Sequence, residues 1–232
     1  MTGFSDQSVA ARLEQVRERV AAAARTAGRD PAAVRLVGVS KRQPVEAIRA
    51  ALDAGLGDLG ENFVQEAIGK MDELGAIAAR WHFIGALQSN KTAAVAARFD
   101  WVQSVDRLKL AERLSRQRPE ELAPLNICVQ VHIGTEASKS GVPLAAAGDL
   151  VRRAATLPRL RLRGLMAVPP PETDPARQRA WCRQLAELYF TLQQEGLALD
   201  TLSMGMSDDL EAAVAEGATM VRIGTAIFGP RA

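Results

Sequence analysis

Apolar positions recur along this chain with two alternating periods. The first is helical: Val9, Leu13, Val16 and Val20 fall on one face, Ser8 is placed to cap it, and Gly28 with Pro31 supplies a stop. The period then changes. Residues 34–39 form a short apolar run of buried-strand type, and Pro44 opens a helix through Val45, Ile48 and Leu52 that stops at Gly55. The same alternation continues. Strands are predicted at 58–60, 81–85, 101–105, 125–133, 163–168, 199–203 and 220–223. Helices are predicted through Val64 and Met71, from 91 to 97, through Leu108 and Leu114, through Leu150 and Ala154, through Trp181 to Leu192, and from 209 to 216. Strand followed by helix argues for a parallel sheet. Eight such units argue for an α/β fold closed as one (β/α)8 barrel of TIM type, preceded by an N-terminal helix. No linker, charge run or low-complexity tract interrupts the series, so a single domain over 1–232 is expected.

Composition narrows the function classes. Lys and Arg total 29 and Asp and Glu total 27, a net charge of +2, which is too near balance to point to nucleic acid or a membrane surface. No run approaches the roughly 18 apolar residues that span a bilayer, and Met1 to Asp6 lack the apolar core of a signal peptide. Two cysteines, Cys128 and Cys182, cannot build a disulfide framework. A reducing, cytoplasmic setting is the expectation. The only histidines, His82 and His132, stand in no ligand-like spacing, so no metal is expected. Only five of the basic residues are lysines: Lys41, Lys70, Lys91, Lys109 and Lys139. Arginine serves for surface charge, but only a primary amine forms a Schiff base.

Barrel active sites form at the C-terminal ends of the strands. Lys41 follows the first strand, where nearby low-dielectric walls favour a neutral, nucleophilic amine. The last two strands run into Ser203-Met204-Gly205-Met206-Ser207 and Arg222-Ile223-Gly224-Thr225. Glycines, hydroxyls and a fixed cation at those ends form a pattern for phosphate. A lysine and a phosphate site on one barrel mouth point to a phosphorylated aldehyde. Pyridoxal 5′-phosphate fits, and so do aldolase substrates.

At this point longer motifs become recognisable. They include Val39-Ser40-Lys41, residues 60–66 (Gly-Glu-Asn-Phe-Val-Gln-Glu), residues 81–85 (Trp-His-Phe-Ile-Gly), Leu87-Gln88-Ser89-Asn90-Lys91, residues 136–141 (Glu-Ala-Ser-Lys-Ser-Gly), Gly164-Leu165-Met166, residues 202–209 and residues 221–229. In this order and spacing the chain resembles the pyridoxal phosphate homeostasis protein family. The resemblance implies a fold-type III barrel like the N-terminal domain of alanine racemase, without that enzyme's second domain. It implies that Lys41 holds the cofactor as an internal aldimine and that Ser203, Ser207, Gly224 and Thr225 surround its phosphate. Arg222 is implied beside the ring nitrogen or the phosphate. Asn62, Met166 and Ile84 are implied around the ring. Lys91 and Lys139 match family lysines without a derivable role. The departures, at 132–135, Ala86 and Arg42-Gln43, leave the Lys41 and 203–225 matches intact.

Three functions follow: a protein of vitamin B6 homeostasis that holds and delivers pyridoxal phosphate without turnover, a racemase-like enzyme, or a Schiff-base aldolase. A racemase needs a second acid/base group opposite the lysine. The sole tyrosine, Tyr189, falls on the long helix away from any strand end, and an aldolase needs acids inside the barrel where only Glu61 stands out. The carrier is the favoured expectation, with no catalytic residue, apo-enzymes as acceptors of the cofactor, and a monomeric state. His82 and His132 read as hydrogen-bonded core histidines.

Overall fold

The computed structural model describes residues 7–134 and 140–230. Eight parallel strands close on themselves: β1 (Arg35–Val39), β2 (Asp58–Glu61), β3 (Arg80–Phe83), β4 (Trp101–Val105), β5 (Leu125–His132), β7 (Leu160–Met166), β8 (Thr201–Ser203) and β9 (Met220–Ile223). Each pairs with the next, β4 pairs with β5, and β9 returns to β1, so the expected barrel is closed. The short β6 (Val142–Pro143), which the alternation did not predict, pairs with the end of β5. Gly164 in β7 faces a register shift in β5 between Ile127 and Cys128.

Helices cover the outside: α2 (Val45–Asp53), α3 (Val64–Leu74), α4 (Thr92–Arg98), α5 (Leu108–Gln117), α6 (Leu144–Ala155), α7 (Pro175–Gln194), α8 (Leu210–Ala215) and the short α9 (Thr225–Phe228). Among the described residues, no helix is long and apolar enough to cross a membrane. The predicted leading helix is α1 (Val9–Thr26), in which Ser8 accepts from Ala11 N–H at 3.2 Å and Leu13, Val16 and Val20 are buried. Helix α1 ties the two ends of the chain together, since Arg12 Nε donates to Ile227 O at 2.8 Å.

Strand alternation divides the core into two layers. Leu59, Phe83, Val102, Ile127 and Leu165 belong to the large cluster between strands and helices. Val37, Trp101, Cys128, Met166 and Met220 fill a separate cluster within the barrel.

Candidate functional site

The turn after β1 is fixed from several sides. Ser40 N–H donates to Gly60 O at 3.0 Å, and Gln43 N–H closes the turn on Ser40 O at 3.0 Å. Arg42 adopts a left-handed conformation (φ 58°), and its N–H donates to Glu66. Lys70 Nζ donates to Ser40 O at 2.7 Å, to Glu61 at 2.7 Å and to Glu66 at 2.6 Å. Ser40 Oγ also donates to Glu61, at 2.7 Å. Burial pushes the Glu61 carboxyl up despite its bond from Lys70, whereas Glu66, less buried, is held down by Lys70 and the Arg42 N–H. The lysine between these turn residues, Lys41, thus leaves a pinned backbone.

Lys41 lines a cavity of about 500 Å³ together with Ser207, Arg222, Gly224 and Thr225. Val39, Met206, Asp208, Ala226 and Arg19 complete its wall. The loop carrying Ser207 is shaped by Gly205 (φ +96°), where a Cβ would stand 2.7 Å from the Ala213 Cβ. Met206 N–H donates to Asp209 Oδ1 at 2.5 Å, and Arg19 of α1 donates to Ser207 O at 3.1 Å. Gly224 lies close on β1, since a Cβ there would meet Val39 O at 3.3 Å. The backbone N–H groups of Thr225 and Ala226 begin α9 and so lack acceptors within its first turn. Arg222 is 4% exposed. It donates to Ser203 Oγ at 2.6 Å and to Ala167 O at 2.8 Å, and burial lowers its pKa to about 10, so it stays cationic at neutral pH.

The structure therefore brings together Lys41, Ser207, Arg222, Gly224 and Thr225. The other expected site residues stand apart from this cavity. Ser203 is fully buried inside the barrel, where its hydroxyl accepts from Arg222 and donates to Gln103 Oε1 at 2.6 Å. That commits the hydroxyl away from the cavity wall. Met166 is fully buried in the inner-barrel cluster. Ile84 is half-buried, within 3.0 Å of where a Cβ on Gly60 would stand. Asn62 lines a neighbouring cavity of about 270 Å³ with Phe63 and Lys91, and its buried Oδ1 has no hydrogen-bond partner among the described residues. Lys139 lies outside the described residues.

Sequence reading missed Lys70, Arg19 and Gln103. Lys70 was one of few lysines and stands at i+4 from Glu66, a usable signal. Gln103 is a long polar side chain in a buried strand, and that marks a candidate for an interior hydrogen bond. Nothing in the sequence ties Arg19 to a loop almost two hundred residues away.

Comparison with known proteins defines first a class. Residues 11–232 match the family described as the alanine racemase N-terminal domain. Within that class, the pyridoxal phosphate homeostasis protein of Pseudomonas aeruginosa is 55% identical over 224 residues, covering 97% of this chain and 96% of its own. The protein of that name in Escherichia coli K12 is 52% identical over 226 residues, covering 96% and 97%. A solved structure of PipY from Synechococcus elongatus PCC7942 with pyridoxal phosphate bound is 38% identical, has a TM-score of 0.84, and is matched over 96% of this chain and 100% of PipY. The chain belongs to the pyridoxal phosphate homeostasis protein family.

Proposed function

We propose that this protein binds pyridoxal 5′-phosphate at the mouth of the barrel and serves its homeostasis, with apo-enzymes as acceptors and no turnover of its own. The observation that carries this reading is the cavity joining one primary amine to a phosphate-type donor set. Its volume suits a small cofactor. Lys41 would anchor the aldehyde. The hydroxyls of Ser207 and Thr225 and the N–H groups opening α9 would take the phosphate, with the backbone brought close at Gly224. Arg222 would add a fixed positive charge. Asn62, Ile84 and Met166 stay as expected neighbours of the ring, while Ser203 would act through Arg222.

When bound, the cofactor supplies an electron sink, strongest when its ring nitrogen is protonated. Arg222 is donor-only and offers no acceptor for such a proton. Tyr189 supplies no second acid/base group at the cavity: its hydroxyl donates to Leu199 O at 3.1 Å, and burial pushes it up to about 12. Both features favour a carrier over a racemase. A single cofactor-binding unit over 1–232, a cytoplasmic location and a monomer belong to the same reading.

The test is an absorption titration with pyridoxal phosphate, followed by borohydride reduction, peptide mapping and turnover assays on amino acids. A new absorbance band and a reduced adduct on Lys41, both lost in Lys41→Ala, are expected. Saturating cofactor that leaves Lys41 unmodified would overturn the reading, and sustained amino-acid turnover would favour the enzyme instead.

A further inference from the structure

A buried series of hydrogen bonds runs through the barrel interior and ends on Arg222. Arg222 donates to Ser203 Oγ at 2.6 Å, and Ser203 Oγ donates to Gln103 Oε1 at 2.6 Å. Gln103 Nε2 lies 2.9 Å from His82 Nδ1, and His82 Nε2 lies 2.8 Å from Asp58 Oδ1. Asp58 is gripped in turn by Arg80, at 2.8 and 2.7 Å. Ser203, Gln103 and His82 are fully buried, and His82 stacks on Trp101 with ring centroids 5.2 Å apart. Asp58 begins β2 and Arg222 lies near the end of β9, so the series links the two ends of the barrel.

Its direction is fixed from both ends. Arg222 can only donate, so Ser203 Oγ accepts and must spend its single proton on Gln103 Oε1. The Gln103 amide then presents its NH2 to His82, so Nδ1 must accept and the proton sits on Nε2. That proton goes to Asp58, which as a carboxylate can only accept. Starting from Asp58 gives the same assignment in reverse. No group in the series is left to choose, and the guanidinium orientation is tied to the ring and carboxylate below it. Ala167 O holds the other guanidinium nitrogen, at 2.8 Å.

We propose that Gln103, His82 and Asp58 are positioning residues for Arg222, fixing from the barrel interior the cation that the cofactor meets at the mouth. This rests on the cofactor reading above. A proton added at His82 Nδ1 would force the Gln103 amide to turn its oxygen down, leaving Ser203 facing two donors. The effect would therefore arrive at Arg222.

The experiment compares wild type, Gln103→Met and Gln103→Glu by pyridoxal phosphate affinity and the absorbance of the Lys41 adduct, with thermal unfolding of each protein before cofactor is added. Gln103→Met is expected to weaken binding about tenfold, one lost hydrogen bond at a buried cation, and to shift the absorbance maximum. Gln103→Glu still accepts from Ser203, and its second oxygen can be satisfied by His82 Nδ1 once that nitrogen takes up a proton, so it is expected to stay within about threefold of wild type. In an Arg222→Met background, Gln103→Met should change affinity by less than about twofold, because the group it positions is gone. Equal binding by Gln103→Met and wild type, or the same loss with and without Arg222, would overturn the inference alone. A wild type that takes up no pyridoxal phosphate would overturn the cofactor reading and the inference with it. Should Gln103→Met not fold, Ser203→Ala cuts the same series beside Arg222, with the same expected and contrary results.

Discussion

His82 shows how one buried side chain contributes to the acid response of the protein. Burial lowers its pKa below the ordinary 6.5, as does Arg35, against the opposing pull of Asp58 and Asp100. The unfolded chain takes up a proton near that value which the folded chain refuses. Stability is therefore present above pH 6.5 and declines as pH falls through that value toward the lower folded one, by up to about 1.4 kcal/mol per pH unit. Glu61, raised by burial, has the opposite sign: its contribution fades as pH rises from about 4.5. The difference between wild type and His82→Gln isolates the histidine. Urea midpoints from pH 7.5 to 5.5 should fall more steeply for wild type than for His82→Gln, and equal slopes would contradict this. The same residue scale explains which parts of the site were readable in sequence. That Lys41, Ser207, Gly224 and Thr225 would gather at one cavity was legible, because strand ends reach the barrel mouth by topology. For Ser203 and Met166 the burial inside the barrel was not legible, because whether a residue at a strand's last positions points inward or up depends on register, which alternation fixes only in three dimensions.

At the scale of elements, β4 and β9 appear with the expected bounds, and α1 and α5 bury their expected stripes except for the first residue of each, Val9 and Leu108, which are half-buried. Those segments carry strong periodic apolar signals and clear stops. The errors lie where packing overrides local signal. Strand β7 begins at Leu160 rather than 163, because Leu125, Asn126 and Ile127 of β5 offer partners to residues the pattern left outside any element. The short β6 has too few residues for any periodicity. Gly164 marks the tightest of these contacts: a Cβ there would stand 1.7 Å from Thr201 O, a backbone atom of β8 that cannot swing away. Gly164→Ala must therefore part β7 from β8. It is expected to cost more than about 3 kcal/mol, within the range of severe core disruption, and to show as loss of folded protein in urea titration. Gly69 on α3 is the contrasting case, with nothing within 4 Å of its added Cβ. Gly69→Ala is expected to stabilise by about 0.5–1 kcal/mol through helix propensity alone. A destabilised Gly69→Ala, or a Gly164→Ala as stable as wild type, would show the packing around these strands to be other than described.

For the whole molecule, the barrel closes where the beginning and end of the chain meet. Strand β1 pairs with β9, so Lys41 and Thr225 reach the same cavity from opposite ends of the sequence. Helix α1 straps that seam, through Arg12 to Ile227 O and through Arg19 to Glu211 and Ser207 O. A ligand held by both sides of the seam adds a cross-link that the unfolded chain lacks, and at a hundredfold excess over Kd it stabilises the fold by about 2.7 kcal/mol. Where the protection falls is the sharper reading. Local opening need not involve the whole barrel, and segments that the ligand bridges should open less. Pyridoxal phosphate is therefore expected to slow amide exchange in β1, β9, α8 and α9, and in α1 through Arg19, with little change in β4 and β5 across the barrel. Arg19→Ala should remove the protection of α1 while leaving that of β1 and β9. Protection confined to the turn at Lys41 would mean that the lysine alone holds the cofactor. Uniform protection would mean that the barrel opens only as a unit, and the seam would then have no separate part in cofactor retention.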